Sequence, residues 1–365
     1  MSHLVMPGEP ARMLFSPPSH RAVPAVPAVP AVPADEGLSA DAALRALSAG
    51  DALLWRGGYP AARQLLDAVS RRLPPPPSGG HAAYRAHRGH RARLLSLLYV
   101  PLDPGHVVPL RRAPDVREAC TGVYGPLDVA AAVPLRELLG VLGAAGWRRS
   151  GIAVPALGAR IHPHYGVFAP VRQEYVRLVA ETPLPATELA FDVGTGTGVL
   201  AAVLARRGVT RVIATDADPR AVVCATENLA RLGFAARTEV VRADLFPPGR
   251  AGLVVCNPPW LPGRPRTSLD HAVYDPGSRM LRGFLDRLRR HLTPAGEAWL
   301  VLSDLAEHLG LRTRDELLGR IDAAGLEVAG RTDTAPGHPR VADAGDPLHR
   351  ARAAEVTSLW RLRPA

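Results

Sequence analysis

Apolar residues in the second half of the chain alternate between the spacing of buried strands and the spacing of helices. The predicted strands cover residues 189–193, 209–215, 238–242, the run 253–256, 297–302, about 327–332 and about 355–362. The predicted helices cover residues 172–180, 199–207, 219–232, 280–291 and 312–324. Strands that alternate with helices predict an α/β fold with a doubly wound, mainly parallel, seven-stranded sheet. A non-helical loop joins the last two strands, so we expect them to form an antiparallel pair at one edge.

The first half of the chain has a mostly helical pattern. Leucine and alanine recur at helical spacing over residues 36–73, and residues 115–146 predict two further helices. Residues 94–102 and 107–110 favour short strands, and residues 147–168 favour a hairpin or an ordered linker. We therefore predict a mainly helical, target-recognition domain over residues 36–150 and a catalytic domain over residues 151–365.

The N-terminal segment repeats one tripeptide. Ala-Val-Pro occurs four times between Ala22 and Pro33. A proline at every third position excludes a helix and favours polyproline II. We predict that residues 1–35 are a disordered or extended tail rich in alanine, valine and proline.

Composition places the chain among globular proteins. It has 365 residues, of which 47% are hydrophobic, and no apolar run of the length that a membrane span needs. The first ten residues do not have the basic segment followed by an apolar one that is typical of a secretory signal. The 3 cysteines fit neither a disulfide framework nor a zinc site. His162 and His164 could bind a metal, but the sequence nearby offers no third ligand. We expect a cytoplasmic protein with reduced thiols, no membrane contact and no metal.

The charge of the chain is positive. The formal net charge is +10, and all 44 basic residues are arginine. Such a balance favours a polyanionic partner, although genome composition can also enrich arginine. The densest basic cluster, Arg85, Arg88, Arg91 and Arg93, reads either as a solvated helix face or as a contact for phosphate or acidic protein.

A proline pair ends the strand at residues 253–256. The sequence there is Asn257-Pro258-Pro259-Trp260, and two successive prolines cannot continue a strand. The turn therefore lies at the carboxyl end of the strand, where open α/β sheets bind ligands. An amide, free carbonyls and an indole at one rim can accept hydrogen bonds from an amino group and stack on its planar carrier. We predict these residues to be catalytic.

A glycine-rich turn follows the first strand of this domain. Asp192 precedes Gly194, Thr195, Gly196 and Gly198, and a predicted helix follows. A phosphate loop would end in Gly-Lys-Ser/Thr, and a dinucleotide fingerprint would place its third glycine one residue later, at Val199. S-Adenosylmethionine has no phosphate, and its cationic groups favour a nearby carboxylate such as Asp192.

The next two strands also end in carboxylates. Asp216 and the following Ala217 lie where a carboxylate can accept both ribose hydroxyls. Asp244 can accept from an adenine amino group, with apolar cover from Leu245 and Phe246. Four successive strand ends therefore carry Asp or Asn, and this predicts one shared cofactor site.

These motifs resemble those of class I S-adenosylmethionine-dependent methyltransferases. The resemblance covers residues 165–305 and is strongest to the branch that methylates planar nitrogens, which includes release-factor glutamine N5-methyltransferases and RNA base amino methyltransferases. It rests on residues 168–174, 192–198, 215–219, 227–228, 244–246 and 257–260. It implies a Rossmann-like sheet with an antiparallel last strand, S-adenosylmethionine as cofactor, and Asn257 as both a catalytic and a cofactor-binding residue. Trp260 departs from the tyrosine or phenylalanine that is commoner in the branch.

The target stays open at this stage. The first alternative is an N-methyltransferase for a macromolecule, either RNA or protein. The second is a methyltransferase for a small metabolite, and the third is a cofactor-binding module without turnover. Further candidates for substrate contact are Arg266, Asp270, Tyr274, Asp275, His338, Arg340, Asp343, Asp346, His349, Arg350 and Arg352.

Overall fold

The structure is a computed structural model that describes residues 31–77, 80–265, 270, 273–337, 341 and 343–365. Most of the predicted tail, residues 1–30, lies outside the described residues. So do three of the candidates for substrate contact, Arg266, His338 and Arg340.

The front domain combines helices with a small sheet. Its helices are α1 (Ala40–Ala49), α2 (Tyr59–Arg72), α3 (Gly80–Leu95), α4 (Arg117–Tyr124) and α5 (Leu135–Ser150). Its strands are β1 (Val32–Ala34), β2 (Leu53–Trp55), β3 (Leu98–Leu102) and β4 (Ala131–Pro134). Within the described residues they form a four-stranded sheet in the order β1-β2-β3-β4.

Three sequence predictions for this domain were wrong in detail. Leu53 and Leu54 belong to β2 and not to a helix, because a short apolar run does not distinguish the two by periodicity. Val32–Ala34, within the predicted tail, pairs in parallel with β2 at the edge of the sheet. Pro33 is tolerated there because an edge strand has one side without ladder partners. At residues 107–110 the structure has only an isolated bridge between Asp103 and Val107.

The second domain begins with the predicted hairpin and continues as the predicted α/β unit. Its strands are β5 (Ile152–Val154), β6 (Ala159–Ile161), β7 (Leu189–Val193), β8 (Arg211–Asp216), β9 (Thr238–Arg242), β10 (Ala251–Cys256), β11 (Leu261–Pro262), β12 (Tyr274–Asp275), β13 (Leu292–Ser303), β14 (Leu326–Thr334) and β15 (Thr357–Pro364). Its helices are α6 (Glu174–Glu181), α7 (Val199–Arg206), α8 (Pro219–Arg231), α9 (Arg279–Leu288), α10 (Leu305–His308), α11 (Arg314–Ala323) and α12 (His349–Ala353).

The main sheet confirms the predicted fold class. Across the described part of the chain it has seven strands in the order β14-β15-β13-β10-β7-β8-β9. β15 runs antiparallel to both of its neighbours, so the last strand lies between β14 and β13. The loop before β15 is not wholly non-helical, because it contains the short helix α12.

A buried carboxylate holds β15 in place. Glu297 on β13 is fully buried and accepts from Arg361 Nε at 2.7 Å and from Trp299 Nε1 at 2.7 Å. Burial by itself raises the pKa of Glu297, but the hydrogen bonds from Arg361, Trp299 and Arg363 outweigh it and lower the pKa. The charged pair therefore stabilises the antiparallel edge in a place where an unpaired carboxylate would be costly.

The sheet has its topological switch point between β7 and β10. From β7 the chain proceeds to β8 and β9 on one side, and then returns to β10 and β13 on the other. Apolar residues cover both faces of the sheet, and the front domain has a separate core of its own. Ligands of open α/β sheets bind at the carboxyl ends of the strands beside such a switch point. None of the described helices is long and apolar enough to cross a membrane.

Candidate active site

A cavity of about 870 Å³ opens at the carboxyl ends of β7, β8 and β10. This volume is within the range of ligand pockets. The predicted site residues that line it are Gly194, Thr195, Gly196, Asp216, Ala217, Asp244, Leu245, Asn257, Pro258, Pro259 and Trp260. The structure thus brings together the ends of strands that are far apart in sequence.

The glycine turn after β7 needs its glycines for two different reasons. Gly194, Gly196 and Gly198 have φ values of +74°, +56° and +80°, a region that favours glycine. A Cβ at Gly194 would lie 2.5 Å from Met280 Cε, whereas a Cβ at Gly196 would meet no heavy atom within 4 Å. The space beside Gly196 is therefore open to a ligand. Gly198 packs against α8 and does not line the cavity.

Asp192 does not occupy the place that the sequence suggested. Its side chain is buried and accepts from Thr195 Oγ1 at 2.7 Å and from Ala201 N at 3.0 Å, and it does not line the cavity. The pKa of Asp192 is raised to about 6, mainly by burial and in smaller part by the nearby Asp216. Asp192 thus ties the glycine turn to α7, and any effect on a ligand acts through its charge and not by contact.

Asp216 is the carboxylate that faces the cavity. Its Oδ2 accepts from Gly196 N at 3.0 Å, and its Oδ1 accepts from Asp218 N at 2.9 Å. Burial raises the pKa of Asp216, although the backbone N–H groups of Asp218 and Gly196 that donate to its carboxylate oppose this shift. Because this carboxylate occupies an N–H of the glycine turn, a phosphate there would meet a negative charge. A ligand with hydroxyls and a positive charge fits better.

The end of β9 leads into a tight backbone turn. Leu245 lines the cavity with φ +76°, and its carbonyl oxygen accepts from Thr215 Oγ1. The Asp244 side chain is 77% exposed and lies 3.5 Å from Arg287 Nη2. Phe246 was expected to cover the cofactor, but it does not line the cavity. Its ring stacks on His291 and Phe284 in the core.

The turn after β10 has an internal hydrogen bond. Trp260 Nε1 donates to Asn257 Oδ1 at 2.8 Å, so the indole fixes the orientation of the amide. An amide oxygen has two lone pairs, and one of them stays available to a donor in the cavity. Phenylalanine at position 260 could not donate such a bond. The indole thus has a second role besides stacking.

The part of the chain that forms this cavity is similar in sequence to known proteins. Residues 159–320 match the family described as the methyltransferase small domain. The chain is 33% identical over 150 residues to a release factor glutamine methyltransferase of Cereibacter sphaeroides, which is 37% of this chain and 51% of that protein. Residues 159–320 are thus similar to class I S-adenosylmethionine-dependent methyltransferases.

Two further relatives of this chain have names that describe methyltransferases of RNA. A ribosomal RNA small subunit methyltransferase C of Alcanivorax borkumensis is 37% identical over 30% of this chain and 31% of its own length. A tRNA1(Val) (adenine(37)-N6)-methyltransferase of Tolumonas auensis is 34% identical over 33% of this chain and 54% of its own length. The chain thus spans about half the length, or less, of these curated relatives.

Arg172, to which the sequence pattern assigned no individual role, supports the Asn257–Trp260 turn. The Arg172 guanidinium carbon lies 4.7 Å from the centroid of the Trp260 ring. Arg172 Nη2 donates to Glu355 Oε1 at 2.9 Å, and its Nε donates to Glu174. The family resemblance pointed to residues 168–174, but no local pattern shows that Glu355, 183 residues further on, joins them.

The other candidates separate into two groups. Asp270, Tyr274 and Arg352 line the cavity, as do Arg88 of the basic cluster and Arg279, which was not among the candidates. Asp275 does not line it, because its Oδ2 is buried and accepts from the N–H groups of Met280 and Leu281 at the start of α9. Asp343, Asp346, His349 and Arg350 do not line it either. Asp346 pairs with Arg352 at 2.9 Å.

The histidine pair lies beside the hairpin and away from the cavity lining. His164 Nε2 lies 2.8 Å from Glu227 Oε2, and His162 Nδ1 lies 2.7 Å from the carbonyl oxygen of Arg148. Burial and the nearby charge of Arg148 lower the pKa of His164, although Glu227 opposes this shift. Among the described residues no three His, Cys, Asp or Glu side chains come together in a way that could hold a metal.

Proposed function

We propose that this protein is an S-adenosylmethionine-dependent N-methyltransferase that acts on a planar amide or amino nitrogen of a macromolecule. The observation that carries the proposal is that the glycine turn with Asp216 and the Asn257–Trp260 turn open into one cavity. S-Adenosylmethionine supplies an electrophilic methyl group on a sulfonium centre when it is bound.

The cofactor end of the cavity has the chemistry that this ligand needs. We assign the ribose hydroxyls to Asp216, because its carboxylate lines the cavity and accepts from Gly196 N of the glycine turn. Gly196 offers room for close approach to the backbone, and Leu245 offers an apolar surface next to the exposed Asp244. The buried carboxylate of Asp192 and the half-buried carboxylate of Asp216 favour a cationic ligand.

The acceptor end orients a poor nucleophile. The lone pair of an amide or aromatic amino nitrogen is delocalised, so its reactivity depends on position and on the charge that develops during attack. We assign the free lone pair of Asn257 Oδ1 and the Pro258 carbonyl oxygen to the two N–H groups of the acceptor. Trp260 holds the amide by its indole N–H and offers its ring to the acceptor plane. The proton leaves to water after transfer.

Asp216→Asn is expected to weaken S-adenosylmethionine binding by about 10- to 100-fold, since hydrogen bonds to a charged group are worth about 1.5–3 kcal/mol each. The variant keeps the shape of the side chain but loses the charge and one acceptor. Calorimetric titration with the cofactor measures the change. Asp322→Asn on α11, an exposed position that does not line the cavity, is the matched control and is expected to bind as the wild type does. Equal affinity of both variants would remove the role assigned to Asp216.

Transfer of a labelled methyl group tests the function directly. The full chain is incubated with tritiated S-adenosylmethionine and a lysate, which is then separated into RNA, protein and small-molecule fractions. We expect label in the RNA or protein fraction, on nitrogen. Label confined to small molecules would favour a metabolite methyltransferase, and cofactor binding without transfer to any fraction would favour a binding module.

A further inference from the structure

Arginines from both domains surround the mouth of the cavity. Arg88 of α3 and Arg352 of α12 line the cavity together with Tyr274. The Arg85 guanidinium carbon lies 3.7 Å from the centroid of the Tyr274 ring, and Arg85 Nη2 donates to the Arg264 carbonyl oxygen at 2.5 Å. Helix α3 of the front domain therefore forms one wall of the opening through which a substrate must enter.

The positive charge continues from the mouth onto the front domain. Arg136 at the start of α5 lies close enough to Arg88 and Arg91 that, after burial, these two charges lower its pKa. Arg91 donates to Ser70 Oγ. Within the described residues, no carboxylate pairs with Arg88 or Arg136 among the ion pairs of the protein. We call Arg88, Arg91 and Arg136 the arginine ridge.

Like charges that gather without carboxylate partners indicate an external anion. Guanidinium groups repel one another, and a bound phosphate removes this repulsion through paired, charge-assisted hydrogen bonds. The charges that line the cavity also differ from place to place. Asp216 lies at the glycine turn, whereas the charges around Tyr274 are Arg85, Arg88, the carboxylate Asp270, and Arg352, which pairs with Asp346. A cation fits the interior, and an anion fits the entrance.

We propose that the arginine ridge and Arg352 bind the phosphates of single-stranded RNA whose target base enters the cavity. This inference rests on the proposed function, and it selects RNA over protein as the substrate. Arg88 and Arg352 contact the phosphates that flank the target nucleotide, while Arg136 and Arg91 contact the chain that leads away. The base itself extends to Trp260 and Asn257. Unstacked bases of single strands can be presented in this way, whereas paired bases cannot.

Binding of a labelled oligoribonucleotide tests the ridge. Fluorescence anisotropy is measured with a mixed-sequence single strand of about 12 nucleotides, a length within the usual range of single-strand sites. Arg88→Gln, Arg136→Gln and the double variant are compared with Arg93→Gln. Arg93 is an exposed arginine of the same helix that does not line the cavity, and it serves as the matched control. Each variant must keep the cofactor affinity of the wild type, which shows that it is folded.

We expect each ridge substitution to weaken RNA binding by about 3- to 10-fold and to lower the salt slope by about 0.7, the value for one phosphate contact on a single strand. Arg93→Gln is expected to change neither quantity. If Arg88→Gln and Arg93→Gln change RNA affinity equally, the arginine ridge is not the RNA-binding site. A polyglutamate peptide of equal charge serves as competitor. If it displaces the labelled strand as strongly as unlabelled RNA does, an acidic protein segment and not RNA is the ligand of the ridge.

The outcomes separate this inference from the proposed function. If RNA binding depends on the ridge but no methyl group is transferred, the proposed function fails and the ridge stands. If methyl groups are transferred to protein and Arg88→Gln has no effect on the rate, the ridge is wrong and the proposed function stands.

Discussion

Asn257→Ala is expected to lower methyl transfer by about 10²- to 10³-fold, the usual effect of removing one preorganised hydrogen-bonding group at a reacting centre. The amide oxygen is the only side-chain acceptor of the turn 257–260, and Trp260 Nε1 holds it in place. Cofactor affinity is expected to change little, because the cofactor contacts that we assign to Asp216 and the glycine turn remain. Single-turnover rates and calorimetric titration with S-adenosylmethionine measure the two quantities separately.

Trp260→Phe is the informative control for this prediction. Phenylalanine keeps an aromatic face but cannot donate to Asn257 Oδ1, so the amide stays present and loses only its orientation. We expect a smaller loss of rate than in Asn257→Ala. A wild-type rate in Asn257→Ala, with only cofactor affinity reduced, would show that the amide binds cofactor and does not position the acceptor.

Arg172→Gln is expected to lower the free energy of unfolding by about 3–5 kcal/mol, the usual cost of leaving a buried charge without its partner. Glu174 and Glu355 have side chains that are 5% and 2% exposed, and both pair with Arg172. The variant also removes the cation from the face of Trp260, so the rate of methyl transfer falls as well. Urea denaturation followed by circular dichroism measures the stability, and single-turnover kinetics measure the rate.

Two further variants separate the stability effect from the catalytic effect. Arg177→Gln changes another arginine of α6, whose guanidinium donates to Thr334 at the surface, and it is expected to cost less than about 0.5 kcal/mol. The triple variant Arg172→Gln, Glu174→Gln, Glu355→Gln leaves no unpaired charge and is expected to recover most of the stability. It should not recover the rate, since Trp260 still lacks its cation. Full recovery of the rate would assign Arg172 a purely structural role.

The distribution of charged residues along the cavity relates these predictions to the proposed RNA substrate. Asp216 lies at the glycine turn, whereas Arg88 of α3 and Arg352 of α12 line the cavity near Tyr274. We therefore expect the front domain to form part of the substrate path. Its helix α3 supplies Arg88 to the cavity lining and Arg85 to the stack on Tyr274.

The sequence by itself determined the α/β architecture and the place of the site. The long alternation of apolar runs predicts the strands and helices of a mainly parallel sheet, and the prolines at 258 and 259 end a strand. The carboxyl ends of parallel strands meet at one edge, so Asp216, Asp244 and Asn257 had to lie close together. The cavity contains all three.

Tertiary structure alone decided what these side chains contact. The side chain of Asp192 is buried and accepts from Thr195 and Ala201, and the ring of Phe246 packs in the core. Pairing across the sheet brought Glu355 to Arg172, and the docking of α3 brought Arg88 to the entrance. Short β strands such as Leu53–Trp55 became clear only from their partners. Spacing along the chain records local periodicity, whereas contacts between distant segments depend on which surfaces pack together, and no single stretch of sequence contains that information.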